Sequence, residues 1–523
     1  MRKTSRQVIR QVIRQVIRPV IRQVIRVTTR VLLLLGLACA PIAHVSAETT
    51  LRYGSGAGLA ANWTHPYSST SIGFLPIWSA LYDPLTFVSA DGDLIPWLAT
   101  AWQQTSPTTW TFTLRDEVLF SNGVRFDARA VVSAVDFLTS PDGRATPVGR
   151  DLETLASARV LSPLSVELTT HAPDPLLPRR LWLLRIVEPG QWREKGPEQF
   201  GRDPVGTGPF TLAEAGAATG VLRKAPASWR QVSFDGVEIV SITEASSRRF
   251  ALETGRVDVA MNALSPDEFE ALELAGGSVS TERIPAVVSM ILNTVRDTPF
   301  RDQRVRQAVT LAVDRETLVA ILLGGKTVVP GQPATRGMFG YNPDINPLPF
   351  DPDKAKALLT EAGYEDGFAF VMEMPSATVL YVDAFQKVAS DLRAIGVDMA
   401  VRQLPPVVFL DRIQTGAWEG DAFAWPFFSP ITDALYPLRY HSCLWHAPWY
   451  CDQTASAEIE VALAESDLEK REALTRQIMQ RAHTSAQALF LYESVSFVGL
   501  GPRVKNFKSD YGFIRYEEMQ LSE

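Results

Sequence analysis

Residues 1–47 carry nine Lys or Arg and no Asp or Glu. Their basic part runs into Val31-Leu32-Leu33-Leu34-Leu35-Gly36-Leu37-Ala38-Cys39-Ala40, followed shortly by Val45-Ser46-Ala47. A positive segment, an apolar core of about ten residues and a small-x-small site make a secretory signal peptide, with cleavage expected after Ala47. The apolar core is too short for a permanent membrane anchor. This constrains everything downstream: the rest of the chain is expected to fold after export, in the periplasm, where thiols oxidise. Cys39 offers a rival processing site as a lipoprotein cysteine, but in Gly36-Leu37-Ala38 the leucine sits one place late for a lipobox. Upstream, RQVIRQVIRQVIRPVIRQVIR repeats every four residues. Pro19 interrupts it as a helix, and the whole segment leaves with the signal.

Removing the leader leaves 42 basic against 58 acidic side chains, a net of −16. A surface that acidic repels nucleic acid and anionic lipid, so neither is an expected partner. No later stretch reaches 18 uninterrupted apolar residues, and 523 residues exceed what one hydrophobic core holds, which points to two or three domains. Strand-like and helix-like segments alternate. Trp110-Thr111-Phe112-Thr113-Leu114 has the period of a half-buried strand, and Ser121-Asn122-Gly123 supplies a turn. Asp127 fits the N-cap of a helix from Ala128 to Leu138, with Val131, Val132, Val135 and Leu138 on its buried side. Asp302 before Gln303 and Asp351 before Pro352 open two more helices in the same manner. The class is mixed α/β.

Candidate chemistry is sparse. Asp203-Pro204-Val205-Gly206-Thr207-Gly208-Pro209-Phe210 superficially suggests a nucleotide loop. It lacks the third glycine of a dinucleotide fingerprint and the Gly-Lys-Ser/Thr of a P-loop, and Pro209 deletes a donor. Phe210-Thr211-Leu212 continues as a strand, so a tight structural turn is expected. The six histidines, His44, His65, His171, His441, His446 and His483, form no HExxH, and no GxSxG elbow occurs. No cofactor and no metal site is expected. In Arg439-Tyr440-His441-Ser442-Cys443-Leu444-Trp445-His446-Ala447-Pro448-Trp449-Tyr450-Cys451, two histidines and two cysteines suggest a metal. Yet Cys443 and Cys451 are the only cysteines left after cleavage, and in an oxidising compartment a disulfide is the better reading. Closing that small loop contributes roughly 2.5 kcal/mol in the chain-entropy model, enough to pin a loop but not a fold. Upstream lie Trp418, Phe423, Trp425, Phe427, Phe428, Tyr436 and Tyr440, interleaved with Pro426, Ser429, Pro430 and Thr432. This mixture is expected to divide between core and the wall of a binding pocket.

Taken in order, a series of motifs resembles one family, the extracellular solute-binding proteins of family 5. The series runs Leu94-Ile95-Pro96-Trp97-Leu98-Ala99, Trp110-Thr111-Phe112-Thr113-Leu114-Arg115 with Phe120-Ser121-Asn122-Gly123, the DPVGTGPF turn, Glu253-Thr254-Gly255-Arg256-Val257-Asp258, Pro299-Phe300-Arg301-Asp302-Gln303-Arg304-Val305-Arg306-Gln307-Ala308, Ala312-Val313-Asp314-Arg315 and Phe350-Asp351-Pro352-Asp353-Lys354-Ala355, ending in Glu361-Ala362-Gly363-Tyr364. The resemblance covers nearly the whole exported chain. It implies a periplasmic-binding-protein-like fold of type II with two lobes and an extra subdomain in the first. After the signal at 1–47, the implied first-lobe core is 48–79, 201–262 and 490–523, the extra subdomain is 80–200, and the second lobe is 263–489.

The implied function is that of a monomeric receptor that closes on a peptide-like or related solute and delivers it to ABC permease subunits in the membrane, without breaking a bond. The alternative solute is nickel or a metal chelate. The ligand-facing set it implies is Trp63, Asn262, Trp425, Phe428, Asp433, Tyr436, Arg439, His441 and Tyr492. In peptide-binding members an aspartate pairs with the ligand's amino terminus; alignment on Trp425 puts Phe428 near that position, with Asp433 the next acid. His441 and His446 lie near where nickel-binding members contact a chelated metal, although exposure on the disulfide loop is the expected state of both. A secreted hydrolase using Asp433 with His441 is a competing reading, but no nucleophile or oxyanion device accompanies the pair. A sensory or chaperone-like role would use the same cleft.

Overall fold

Local start signals are used as the sequence suggests. The computed structural model describes residues 49–56, 63–376 and 379–522, together with Gln15; the signal segment, its cleavage site and Cys39 lie outside the described residues. Asp127 accepts a hydrogen bond from the Arg129 amide at 2.9 Å and opens the helix Ala128–Thr139. Asp302 does the same for Gln303–Leu311 through the Arg304 amide at 2.8 Å, and Asp351 for Pro352–Glu361 through the Lys354 amide at 2.9 Å. Pro352 occupies the first turn, where a missing amide leaves no bond unmade. On the first of these helices Val131, Val135 and Leu138 are buried, whereas Val132 is only half-buried. The three buried residues are spaced i, i+4, i+7, and Val132 falls about 100° round the helix from Val131.

The strands follow in chain order. β1 (Thr50–Ser55) is followed by the hairpin β2 (Thr86–Val88) and β3 (Leu94–Pro96). Next come β4 (Ala99–Ser106), β5 (Thr109–Leu114), β6 (Leu155–Ser162) and β7 (Ser165–Thr170), which form a separate antiparallel sheet in the order β4-β5-β7-β6. β8 (Phe210–Ala215), β9 (Thr219–Lys224), β10 (Gly236–Ser241) and β11 (Val259–Met261) return beside β1. The remainder are β12 (Ser278–Leu292), β13 (Phe368–Pro375), β14 (Val397–Leu404), β15 (Ala422–Ala424), β16 (Phe427–Phe428) and β17 (Ala488–Leu500).

The large sheet has the order β14-β13-β15-β12-β17-β11-β1-β10-β9-β8, with β16 added on β12. β1 runs parallel to β10 and β11, and β13 parallel to β14 and β15. Helices cover both ends, giving the two-lobed mixed α/β fold expected. One apolar core, with Leu51, Phe112, Val131, Phe210 and Val237, serves β1, β8–β10 and the four-stranded sheet. A second, with Val305, Val309, Phe370, Phe385 and Val397, and a third, with Ile291, Phe423, Phe427 and Trp449, lie against β12–β15.

The DPVGTGPF turn is structural. The Gly208 amide donates to the Leu81 carbonyl at 3.1 Å, and a Cβ on Gly206 or Gly208 would strike the backbone of Ala80 and Leu81. Thr207, between them, donates its hydroxyl to Asp83 at 2.8 Å. Asp83 is fully buried and gathers partners from three chain segments: besides Thr207, Trp97 Nε1 donates at 2.8 Å and Trp229 Nε1 at 2.9 Å, and the neighbouring Arg230 guanidinium forms an ion pair at 2.9 Å. The turn and the first-lobe core are thus tied through one carboxylate. Asp83→Ala leaves Arg230 buried with its charge reduced to a partial match from Glu517, which it contacts at 3.0 Å. Urea unfolding of this variant is expected to show a loss of about 3–5 kcal/mol, the usual cost of breaking a buried pair from one side.

Candidate functional site

Between the lobes, the large sheet is carried by two strands. The first half of β12 pairs with the last half of β17 from Ser278↔Leu500 to Arg283↔Val495, next to β11. The second half pairs from Val287↔Glu493 to Ile291↔Ala488, next to β15 and β16. The ladder slips twice in between. Between the pairs Arg283↔Val495 and Val287↔Glu493, three residues of β12 stand opposite one of β17, and then Leu491 is the extra residue on β17. Pro285, inside the first slip, has no amide to give. Bulges bend a strand and loosen its pairing, so the crossing is where rotation of one lobe against the other is easiest. The expected boundary at 262/263 falls at the end of β11, upstream of this crossing.

Away from the crossing, the lobes meet along a seam. The segment Ser429–Asp433 of the second lobe projects into the first. Trp182 Nε1 donates to the Pro430 carbonyl at 2.6 Å, Ile431 is buried in the first-lobe core, and Arg179 donates to the Thr432 hydroxyl at 3.2 Å. Thr432 has φ +52°, a left-handed conformation that its branched side chain tolerates poorly and that the surrounding contacts must hold. Arg179 also donates to the Gly92 carbonyl at 2.7 Å and the Gly337 carbonyl at 3.2 Å. These two glycines, both with φ +91°, touch across the seam, and a Cβ on Gly92 would overlap the Gly337 backbone. Arg283 pairs with Asp91 beside them.

Farther along the seam, Tyr436 donates its hydroxyl to Asp151 of the first lobe, and Arg439 pairs with Glu153 at 3.2 Å. The Arg439 guanidinium lies over the rings of Tyr436, at 4.1 Å, and Tyr440, at 5.0 Å. Burial and the nearby Asp151 raise the Tyr436 hydroxyl far above its ordinary range, so it is a donor at any physiological pH.

Of the ligand-facing residues expected from sequence, Tyr436 and Arg439 stand together on this seam. Trp425 is half-buried, packs on Phe409 at 6.2 Å and exchanges hydrogen bonds with Ser289 of β12. Phe428 is paired opposite Ala286 in the slip itself, and Tyr492 is buried opposite Val288. Asn262, with φ +50°, accepts from Ser496 of β17 at 2.8 Å on the first-lobe side of the crossing. Trp63 is held by the β8–β9 hairpin, donating to the Gly216 carbonyl at 2.8 Å and lying over Gly220.

Asp433 is buried and pairs with Arg471 at 3.1 Å and Arg180 at 3.9 Å, while its Oδ1 accepts the Leu435 amide at 3.1 Å. Its charge is met inside the protein. His441 is buried rather than exposed. It stacks on Phe427 at 3.9 Å and accepts from Trp449 Nε1 on Nδ1 at 3.1 Å, and burial pushes its pKa down to about 3. The disulfide explains the difference, since Cys443–Cys451 forms and folds Trp449 back against the ring. His446 is exposed and contacts the Gln414 carbonyl. Among the described residues no three His, Cys, Asp or Glu side chains are grouped to hold a metal. Sequence reasoning missed Asp151, Arg179, Trp182 and Arg471. Asp151 meets Tyr436, Arg179 meets Thr432 and Trp182 meets Pro430 from more than 200 positions away, and Arg471 meets Asp433 from a helix 38 positions further on; such pairings leave no local pattern.

Two lobes joined by a narrow strand crossing, and meeting along a seam built from both, define a hinged ligand-binding clamp. The model for bacterial extracellular solute-binding proteins, family 5 (middle) matches residues 93–443, and the chain belongs to that family. It is 27% identical over 462 residues to the nickel-binding periplasmic protein of Escherichia coli, covering 81% of this chain and 84% of that one. It is 29% identical over 269 residues to the glutathione-binding protein GsiB of Salmonella paratyphi A, about half of each chain at 50% and 51%. The periplasmic binding protein DppA of Helicobacter pylori, solved with the peptide STSA, superposes with a TM-score of 0.72 at 22% identity over 91% of this chain and 99% of that one, which establishes the fold.

The seam and the crossing each generate a prediction. Gly92→Ala wedges the two glycines apart, and X-ray scattering is expected to show a larger radius of gyration and a less closed average shape for the variant. At the crossing, Glu282 on β12 is buried with Oε1 unpartnered. Burial pushes it from its ordinary value of 4.5 up to about 7, opposed by the Ser509 hydroxyl and reinforced by Asp510. A folded-state value above the unfolded one means the contribution to stability is fully present below about pH 4.5 and is lost as pH rises through about 7. Glu282→Gln should therefore gain stability on wild type as pH rises from 5 to 8, by at most about 1.4 kcal/mol per pH unit, in urea titrations of both proteins.

Proposed function

We propose that this chain is the periplasmic receptor of an ABC importer, exported by residues 1–47 with cleavage after Ala47. It acts as a monomer, closes on a peptide-like solute and presents the closed form to the permease subunits. No bond is broken. The observation that carries this reading is the pairing of a bulged two-strand crossing with a seam whose contacts come from both lobes. A solute bound between the lobes adds contacts available only in the closed form and so shifts the population toward it. Trp425, Phe428, Tyr436, Arg439 and Tyr492 are the proposed ligand-facing set. Aromatic faces with one guanidinium suit a small solute with an apolar part and a carboxylate.

A metal chelate is the second reading, favoured by the nickel-binding relative. Here the same aromatic walls and Arg439 would grip the chelator, which brings the metal with it. His441 is spent on Phe427 and Trp449, and Asp433 on Arg471, which speaks against the hydrolase that would need both.

Protein stripped of carried-over solute by unfolding and refolding should show a raised Tm with one member of a set comprising dipeptides, glutathione, and nickel with and without histidine. At about a thousand times Kd the stabilisation is about 4 kcal/mol. No shift across the set, or turnover of a bound member, contradicts the proposal.

A further inference from the structure

Two buried arginines flank the start of β17 in the second lobe, Arg306 and Arg315, and their surroundings differ. Arg306, on the helix Gln303–Leu311, donates to the carbonyls of Ser485 at 2.9 Å, Ala486 at 3.2 Å, Phe300 at 2.9 Å and Arg301 at 3.2 Å. The first two of these lie just past the helix Leu468–Thr484, where free carbonyls and the negative end of the helix dipole suit a cation. Arg315 has no such setting. It opens the helix Arg315–Leu323, whose dipole presents its positive end there and supplies no countercharge. Its guanidinium has two acceptors among the described residues, the carbonyls of Phe490 at 3.1 Å and of Leu348. A guanidinium carries five N–H donors, so part of the fork has no acceptor. No carboxylate stands within ion-pairing distance of Arg315 among the described residues, and the adjacent Asp314 is spent on the Thr317 amide and hydroxyl. Burial accordingly lowers the Arg315 pKa to about 10, with only Glu316 acting the other way.

Beside this guanidinium is a cavity of about 10 Å³, lined by Thr310, Arg315, Gly331, Leu348, His483 and Phe490 among others. That is room for one occupant the size of a water molecule, too little for phosphate, sulfate or a carboxylate. The other polar side chains of the lining are spent. Thr310 donates its hydroxyl to the Arg306 carbonyl at 3.0 Å, and His483 Nδ1 donates to the Gly331 carbonyl at 2.8 Å. What remains for an occupant is the unmatched charge of Arg315. A water would accept a hydrogen bond and leave that charge without a partner, whereas a monatomic anion supplies acceptor and countercharge together.

We propose that this cavity binds a small monatomic anion of the halide class, with Arg315 as its ligand. The bound anion braces Arg315 on the Phe490 carbonyl, one residue before the extra residue Leu491 of β17, and so fixes the second-lobe root of the crossing. None of the lining residues belongs to the ligand-facing set, and the inference stands apart from the solute-receptor reading.

Crystals of the protein soaked in sodium bromide test this directly. Anomalous scattering at the bromine edge should place a bromide in the cavity, against the Arg315 guanidinium. In solution, replacing sodium gluconate by sodium chloride at constant ionic strength should raise the Tm of wild type saturably, by about 2–3 °C, since gluconate is too large to enter. Arg315→Met keeps an apolar stem and removes the charge, and it should abolish the difference between the two salts. The bromide experiment needs no variant and stands even if Arg315→Met folds poorly. A cavity that holds only water in bromide, an equal Tm in the two salts, or a chloride effect retained by a folded Arg315→Met overturns the anion site and leaves the receptor reading untouched.

Discussion

Everything functional in this molecule depends on joining two lobes by the pair β12–β17. A sheet that crossed between lobes on many strands would be stiff, because each ladder resists bending. A pair interrupted by Pro285 on one strand and by an extra residue at Leu491 on the other leaves few hydrogen bonds to resist rotation. The strands on either side, β11 in one lobe and β15 and β16 in the other, stop at the crossing. Each lobe therefore keeps its own core while the connection bends. The buried Glu282 and Glu493 sit close to this point, both with pKa values raised by burial. Charge there is costly in the arrangement observed.

The seam is the counterpart of the crossing. Its contacts are of two kinds, and they differ in what closure gains. Ile431 entering the first-lobe core is an apolar contact whose strength follows the area removed from water. Trp182 to Pro430, and Arg179 to the Gly337 carbonyl and Thr432, are polar contacts that in the open state water would replace. Their net worth is therefore about 1 kcal/mol each, more for those the guanidinium makes. Closure without solute is thus only modestly favoured, and a solute's own contacts are able to decide the balance. The glycine pair at 92 and 337 sets how near the lobes approach, since neither position has room for a side chain.

What was legible from sequence was local. Asp127, Asp302 and Asp351 announce helices because a carboxylate satisfying the first free amides works at short range and needs no tertiary partner. DPVGTGPF announces a turn because prolines and glycines act on their own backbone, and Cys443 with Cys451 announces a loop because no other cysteine follows the leader. The motif order supplied the family. The burial of His441 is not legible from sequence because it depends on Phe427 and Trp449, the latter within the loop that the disulfide closes. The engagement of Asp433 is not legible from sequence because Arg471 reaches it from a helix 38 positions further on. Asp151 gave no signal at all: an acid at the end of a five-residue helix looks like an ordinary surface residue until the second lobe covers it.

The aromatic-rich stretch shows how one segment serves two purposes. Trp418 stacks on Phe423 at 3.9 Å with the rings 4° apart, and Trp449 meets Phe423 edge-on at 5.2 Å. These rings are core, and they fix β15 and β16 against β12. A few residues on, Tyr436 and Tyr440 meet at 6.2 Å beneath Arg439, on the face turned to the first lobe. Between the two groups, Ser429–Asp433 is anchored at its far end by Asp433 on Arg471, and the disulfide closes the chain just beyond. Rigidity delivered from the core side is what allows the seam-side groups to hold position with little secondary structure of their own. A loosely held Tyr436 would lose, in ordering entropy on each closure, much of what its contact with Asp151 gains. The buried Asp433–Arg471 pair is thus best understood as a support for the segment that reaches across the cleft, not as a group waiting for solute.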